Sequence, residues 1–308
     1  MARPKEYYSR PEGNSPQMGI AYPAQKLQDW FTQQWVILTG QKIDEKLASW
    51  LMGPFGDIGV ISDTFAGELA GKEGLTVTRN ARAKGLISSL RNLKLAEADY
   101  KRLSKEIKNF YENTTQYELH FSVHWNPVFR FFGKLVSWLF SRRIAQLNIP
   151  TNNFEKPLPI HSEIITLNKR PSGETVHTIW YRTFGVQMQV LYSGVYTLCT
   201  MPNGTVCVKA VFPLPRGNAT VIMQPSVGPH GELSLLSSGK KFGDPGFYFL
   251  LEDSRGRIWS RYLRSFRDHL VVQSQRGQIT AKQILTLWNL KVVQFDYEIV
   301  RIPKMKRN

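Results

Sequence analysis

From His161 to Arg301 the sequence alternates apolar and polar residues in short runs, broken by Gly, Pro, Asn and Asp, with no helical period between the runs. A period of two sends successive side chains to opposite faces of a strand, so each run predicts a strand with one buried face. One face of a long strand carries Val186, Met188, Val190, Tyr192, Tyr196 and Leu198, opposed by Gln187, Gln189, Ser193 and Thr197, with Gly194 at a bend. The last strand carries Val293, Phe295, Tyr297 and Ile299 on one side. Further strands are expected over 175–184, 205–212, 219–224, 232–237, 247–252, 258–262, 269–274 and 279–287. About ten strands without intervening helices must hide their edges, and an antiparallel barrel or a strongly curved sheet does so. One hairpin is legible in detail. Pro202-Asn203-Gly204 suits a three-residue loop with Gly in the left-handed position, which sets Cys199 opposite Cys207.

Upstream the period changes. Leu27, Phe31, Trp35 and Leu38, then Ile43, Leu47, Trp50 and Leu51, recur at helical spacing until Gly53-Pro54. Residues 93–113 read as one amphipathic helix, with Leu103, Ile107, Phe110 and Tyr111 on one face and Lys101, Lys105 and Lys108 on the other. Residues 118–125 return to strand alternation. Residues 127–143 form a helix apolar on most sides, with Arg130, Gly133, Lys134, Ser137 and Ser141 on one narrow stripe, and it is expected to plug the core rather than lie in a membrane interface. The expected class is α+β: a helical N-terminal region packed beside an antiparallel β-barrel or strongly curved β-sheet. The expected organisation is a flexible arm (1–23), a helical region (24–115), an antiparallel β-domain (116–303) with a helical insertion at about 126–147, and a basic tail (304–308). At the level of fold alone, a strand, a helical pair and a run of strands is similar to helix-grip ligand-binding domains. The departure is that no long helix follows the last strand.

The 308 residues carry 40 Lys+Arg against 24 Asp+Glu, a net charge of +16 spread over both halves. Such a surplus attracts polyanions, whether nucleic acid or an anionic membrane surface, and it also simply keeps a protein soluble. Two cysteines are too few for a disulfide scaffold of this size. The opening residues lack the charged-then-apolar pattern of a secretory signal. The longest apolar stretch, 128–140, is interrupted by Arg130 and Lys134, whereas spanning a bilayer takes about 20 apolar residues. A cytoplasmic protein with two reduced, buried thiols and no transmembrane segment is expected.

Motifs that carry chemistry are few. Gly53, Gly56 and Gly59 do not have the dinucleotide-binding spacing, and residues 237–246 lack the glycine interval of a phosphate-binding loop. No serine sits in a Gly-x-Ser-x-Gly elbow. No metal and no cofactor is expected. The catalytic candidates are Glu118, His120, His124, His161 and Glu163, polar residues of neighbouring strands that would form an acid–base site if they met inside a barrel. His120 and His124 lie about 13 Å apart on a strand, too far to share one metal ion, and a polar strand face turned toward water or a wet barrel interior is the plainer account. The leading expectation is a non-catalytic protein that binds an apolar or amphipathic, lipid-like small molecule in a barrel cavity lined by Trp180, Met188, Val190, Tyr192, Tyr196 and Phe295. The alternatives are an enzyme with a His/Glu site in the β-domain, and a binder of polyanions through Arg255, Arg257, Arg261, Arg264 and Arg267, which interleave with Trp259, Tyr262 and Phe266.

Overall fold

The computed structural model describes residues 19–21, 23, 27–57, 64–80, 84–129, 153–185 and 189–303. Most of the expected arm and of the helical insertion, and the basic tail, lie outside these. Along the chain the described elements are α1 (Leu27–Thr39), β1 (Gln41–Lys42), α2 (Phe65–Glu73), β2 (Thr76–Arg79), α3 (Glu97–Arg102) and α4 (Lys105–Glu112). They continue with β3 (Tyr117–Trp125), β4 (Phe154–Asn168), β5 (Thr175–Phe184), β6 (Gln189–Thr200), β7 (Val206–Leu214), β8 (Gly217–Val227) and β9 (Leu233–Ser237). Last come β10 (Phe247–Glu252), β11 (Ile258–Leu263), β12 (Phe266–Gln275), β13 (Gln278–Leu287) and β14 (Leu290–Arg301).

Ten of these strands close into an antiparallel barrel in the order β3-β4-β5-β6-β7-β8-β9-β12-β13-β14 and back to β3. The alternation in the sequence supplies the inner wall directly. On β3, Leu119, Phe121, Val123 and Trp125 turn inward and are buried, as are Val293, Phe295, Tyr297 and Ile299 beside them on β14. Closure depends on β8. Its second half pairs with β9, Gln224 to Leu236 through Val227 to Leu233, while its first half pairs with β10, Gly217 to Leu251 through Val221 to Phe247. The wall therefore forks, and β10, β11 and β1 splay away from the ring as a flap at the end where β8 begins.

Among the described residues the helices do not form a layer of their own beside the barrel; they are spread over its ends and outer face. The segment from Leu86 to Tyr117 caps the end where β8 meets β9. Leu103, Ile107, Phe110 and Tyr111 pack there against Leu119, Leu233, Leu235 and Ile279, and Ser104 N–H donates to the Gly231 carbonyl in the β8–β9 turn at 3.0 Å. At the forked end α1 packs Val36 and Ile37 on Leu251, Phe249 and Trp259 of the flap. On the outer wall α2 sets Phe65 and Leu69 on Ile165, Ile179 and Val211.

Two expectations need correction. Residues 43–51 are a series of turns, not a helix. Asp44 accepts from the Lys46 and Leu47 N–H groups, and the segment lays Ile43, Trp50 and Leu51 over the outer faces of β6, β7, β8 and β10 while Leu47 is exposed. The single helix over 93–113 is a 3-10 turn (Leu90–Leu93) followed by α3 and α4, broken at Leu103, where extended backbone frees the Ser104 N–H for Gly231. The prolines at 157 and 159 lie within β4.

The hairpin at Pro202–Gly204 has the expected register. Cys199 pairs with Cys207, the Met201 N–H bonds the Thr205 carbonyl at 2.8 Å, and Gly204 has φ 86°. Both thiols are free and face the outer covering layer, where burial pushes them up to about 11 and about 12, so they stay protonated at neutral pH. In the same layer the buried ammonium of Lys209 donates to the Trp50 carbonyl at 3.1 Å and the Met52 carbonyl at 2.6 Å, pinning the turn segment to β7.

The fork requires backbone to touch backbone. A Cβ added at Gly217 would lie 2.2 Å from the Leu250 carbonyl oxygen, so no side chain fits where β10 leaves β8. Gly217→Ala is expected to lower the free energy of unfolding by about 1–3 kcal/mol in urea melts. Gly71→Ala, in α2 with nothing within 4 Å of the added carbon, is expected to raise it by about 0.4–1 kcal/mol.

Candidate ligand cavity

Eight strands make a barrel that side chains just fill or that holds one small ligand, and diameter grows with strand number, so ten strands leave space unless the inner residues are large. They are not large enough. A cavity of about 610 Å³ runs through the interior, walled by apolar inward positions such as Val208, Ala210, Val221, Leu270 and Ala281. Small residues help to open it, while Gly194 makes room for a neighbour, since a Cβ there would meet the ring of Phe212 at 2.8 Å. Phe110 and Tyr111 close one end. At the other stand Phe129, Phe249, Phe266 and the Asp29, Gln33 and Val36 face of α1. Among the described residues no helix is long and apolar enough to cross a membrane.

A small polar group interrupts the apolar wall. Arg182 is only 6% exposed; its guanidinium lies 3.9 Å above the Trp180 ring and donates from Nη2 to the Tyr196 hydroxyl at 2.9 Å. Asp268, also 6% exposed, accepts from Gln283 Nε2 at 2.7 Å on Oδ2, while its Oδ1 is buried with no hydrogen-bond partner. Gln283 Oε1 in turn accepts from the Tyr297 hydroxyl at 3.3 Å. All of these line the cavity, and Tyr111 joins them from the capping helix. Burial raises the Tyr111, Tyr196 and Tyr297 phenols, so each is a neutral donor. Burial pushes the Asp268 carboxyl up to about 7 against the opposing bond from Gln283. An unmet carboxyl oxygen in such a place costs about 1–3 kcal/mol, more if ionised, and therefore marks a position a ligand could satisfy.

The sequence-predicted binding residues divide. Trp180 and Tyr196 line the cavity, with their rings 5.5 Å apart. Phe295 is fully buried but is not part of the lining. Val190 is half-buried and also stands apart from it, because a β-bulge opposite Arg182 and Thr183 turns Leu191 into the core and shifts the alternation. Met188 and the side chain of Tyr192 lie outside the described residues.

The five catalytic candidates do not meet inside the barrel. With Leu119, Phe121 and Val123 inward, the alternate set on β3 must face outward, and β4 presents His161 and Glu163 on that outer side as well. Glu118 and His161 are exposed, His120 is half-buried, and His124 Nε2 stands 3.4 Å from Asp296 Oδ2. Glu163 is taken by Arg79 at 3.1 Å. No three metal-ligating side chains converge among the described residues.

The arginine run is partly tied down within the chain. Buried Asp253 binds Arg257 Nε at 2.8 Å and the Trp259 indole at 2.9 Å. Burial opposes its ionisation, but these bonds and the Arg255 and Arg257 N–H groups outweigh it and hold the carboxyl below the usual range. Arg261 donates to the Thr39 carbonyl, and Arg264 Nε to the Lys240 carbonyl at 2.7 Å. Arg267 is half-buried on β12.

Sequence reasoning missed Arg182, Asp268, Gln283, Tyr297 and Tyr111 as a group. A signal was present: Arg182 shares its parity with Trp180 and Phe184, and Asp268 with Phe266, Leu270 and Val272, so each is a charge within an inward, apolar set.

No protein-family model matches the chain, and no solved structure does. It is similar to the uncharacterized membrane protein YndJ of Bacillus subtilis (strain 168), at 26% identity over 226 residues, covering 72% of this chain. The chain spans 39% of the length of that protein.

Because the folded state holds the Asp268 proton more tightly than the unfolded chain, it binds more protons between the two pKa values, and stability must fall as pH rises through that window. Urea midpoints of the protein are expected to drop between about pH 4 and pH 7 and then level off, and Asp268→Asn is expected to remove that component of the slope.

Proposed function

We propose that the protein binds an apolar or amphipathic, lipid-like small molecule inside its barrel, without catalysing a reaction on it. The observation that carries this reading is the 610 Å³ hollow with an apolar wall and a few grouped polar side chains, the composition of small-molecule sites. Energetics support it as well. An occupant that fills the hollow removes its apolar wall from water, which favours binding by roughly 25 cal/mol per Å² covered. The test is native mass spectrometry of the freshly purified chain, expected to show a co-purifying species, together with uptake of the uncharged fluorophore 1-N-phenylnaphthylamine. Ala281→Phe, which fills the hollow from β13, is expected to weaken fluorophore binding about tenfold or more with the circular dichroism spectrum unchanged. Undiminished binding to that variant would sink the proposal.

A second reading concerns where the ligand is collected. α1 turns Asp29, Gln33 and Val36 to the cavity and leaves Phe31 59%, Leu38 59% and Trp35 41% exposed, with Arg261 above the Trp35 ring at 6.0 Å. An apolar helix face at the mouth of a chain of charge +16 suits contact with an anionic membrane surface. Phosphatidylserine vesicles are expected to sediment the protein and phosphatidylcholine vesicles to do so poorly. The double substitution Phe31→Ser with Leu38→Ser is expected to abolish most of the difference; equal sedimentation of variant and parent would count against it.

A further inference from the structure

The cavity reading leaves open what the polar group inside it recognises. We propose that Arg182 and Asp268 form a carboxylate site, so that the barrel takes a single-chain amphiphile whose acid head docks between them while its chain fills the apolar hollow. This rests on the cavity reading and adds the head-group chemistry.

The geometry fixes the two poles. Arg182 is held in place by Trp180 beneath its guanidinium and Tyr196 at Nη2, and it still lines the cavity. Asp268 has Oδ2 bound by Gln283 and Oδ1 buried without a partner on the same cavity wall. Other head groups fit this pair less well. An ammonium would meet the permanent guanidinium as a like charge. A hydroxyl would satisfy Oδ1 but bring no opposite charge to the guanidinium. A phosphate monoester brings up to two charges and three oxygens, more than one guanidinium and one carboxyl can match. A carboxylate can accept from the guanidinium on one oxygen and from protonated Asp268 on the other, and the three groups together are then singly cationic, singly anionic and neutral, the balance a low-dielectric interior favours.

That arrangement requires Asp268 to keep its proton beside an anion. Burial already pushes this carboxyl up to about 7, and an added negative charge pushes it further. The titratable groups it acts on are Tyr196 from β6 and Tyr297 from β14, both also acted on by Arg182 from β5, with neutral Gln283 from β13 bonded to it; Tyr111 from α4 faces Arg182 and Tyr196. Only Arg182 is charged among them at neutral pH, so loss of the Asp268 proton is the event that would repel an acid ligand.

The experiment loads the full chain with 1-N-phenylnaphthylamine and displaces it with hexadecanoate, hexadecanol, hexadecylamine and hexadecyl phosphate. Hexadecanoate is expected to displace the probe at roughly tenfold lower concentration than hexadecanol at pH 6, with the advantage shrinking by pH 8. Arg182→Met is expected to erase the preference for the acid, read as the ratio of the concentrations at which hexadecanoate and hexadecanol displace the probe, and Asp268→Asn to erase its pH dependence. If Arg182→Met fails to take up the probe, Arg182→Lys, which keeps the charge but not the planar fork, is expected to reduce the preference severalfold. Equal displacement by acid and alcohol, or tighter displacement by the amine or the phosphate, would overturn the carboxylate assignment while probe binding still upholds the cavity. Failure of the probe to bind the parent chain would overturn both.

Discussion

Four residue pairs between β8 and β9 hold the ring shut, and most of the molecule follows from how little of β8 they use. Because β9 is only five residues long, the first half of β8 keeps a free edge. That edge recruits β10, and through it β11 and β1, into a flap. The flap gives α1 something to pack on, and α1 then stands over the end of the barrel that the segment around α4 does not cap. Were β9 as long as β8, no edge would remain for the flap and that end would have a different rim. Pairing on both sides is what a strand edge demands, and here one strand meets the demand with two different partners.

A ring of ten strands encloses more volume than the inward residues supply, and the hollow then sets the chemistry of any polar group exposed to it. Carboxylates show the contrast. Glu163, on the outer side, is matched by Arg79 within the reach of solvent. Asp268, on the inner side, meets only an amide, keeps an unsatisfied oxygen, and holds its proton up to about 7. Both carboxyls are buried; Glu163 has a cation beside it, whereas Asp268 has an amide and an unmet oxygen. Similar reasoning removes the histidines from consideration as an internal site, since the apolar residues of β3 already occupy the inward positions.

Much of the architecture was legible because alternation is local. The strands, the inward set Leu119, Phe121, Val123 and Trp125, and the Cys199–Cys207 register all follow from residues within one strand or one hairpin. The misreadings came where a non-local partner overrode a local pattern. Residues 43–51 have helical spacing but are spread as turns because they cover a sheet. In β6 a bulge at Leu191 reverses the faces, and no spacing rule reveals it, since the extra residue is defined only by the strand opposite.

The site divides along the same line. That Trp180, Arg182 and Tyr196 share parity with apolar inward neighbours is written in the sequence, and so is the inward parity of Asp268. The meeting of Arg182 on β5 with Asp268 on β12 across one hollow is not, because it depends on ring closure, strand stagger and the number of strands, each set by hydrogen bonds between segments far apart in the chain. Local periodicity determined which face each residue shows; only the closed barrel decided which faces look at one another and how much space lies between them.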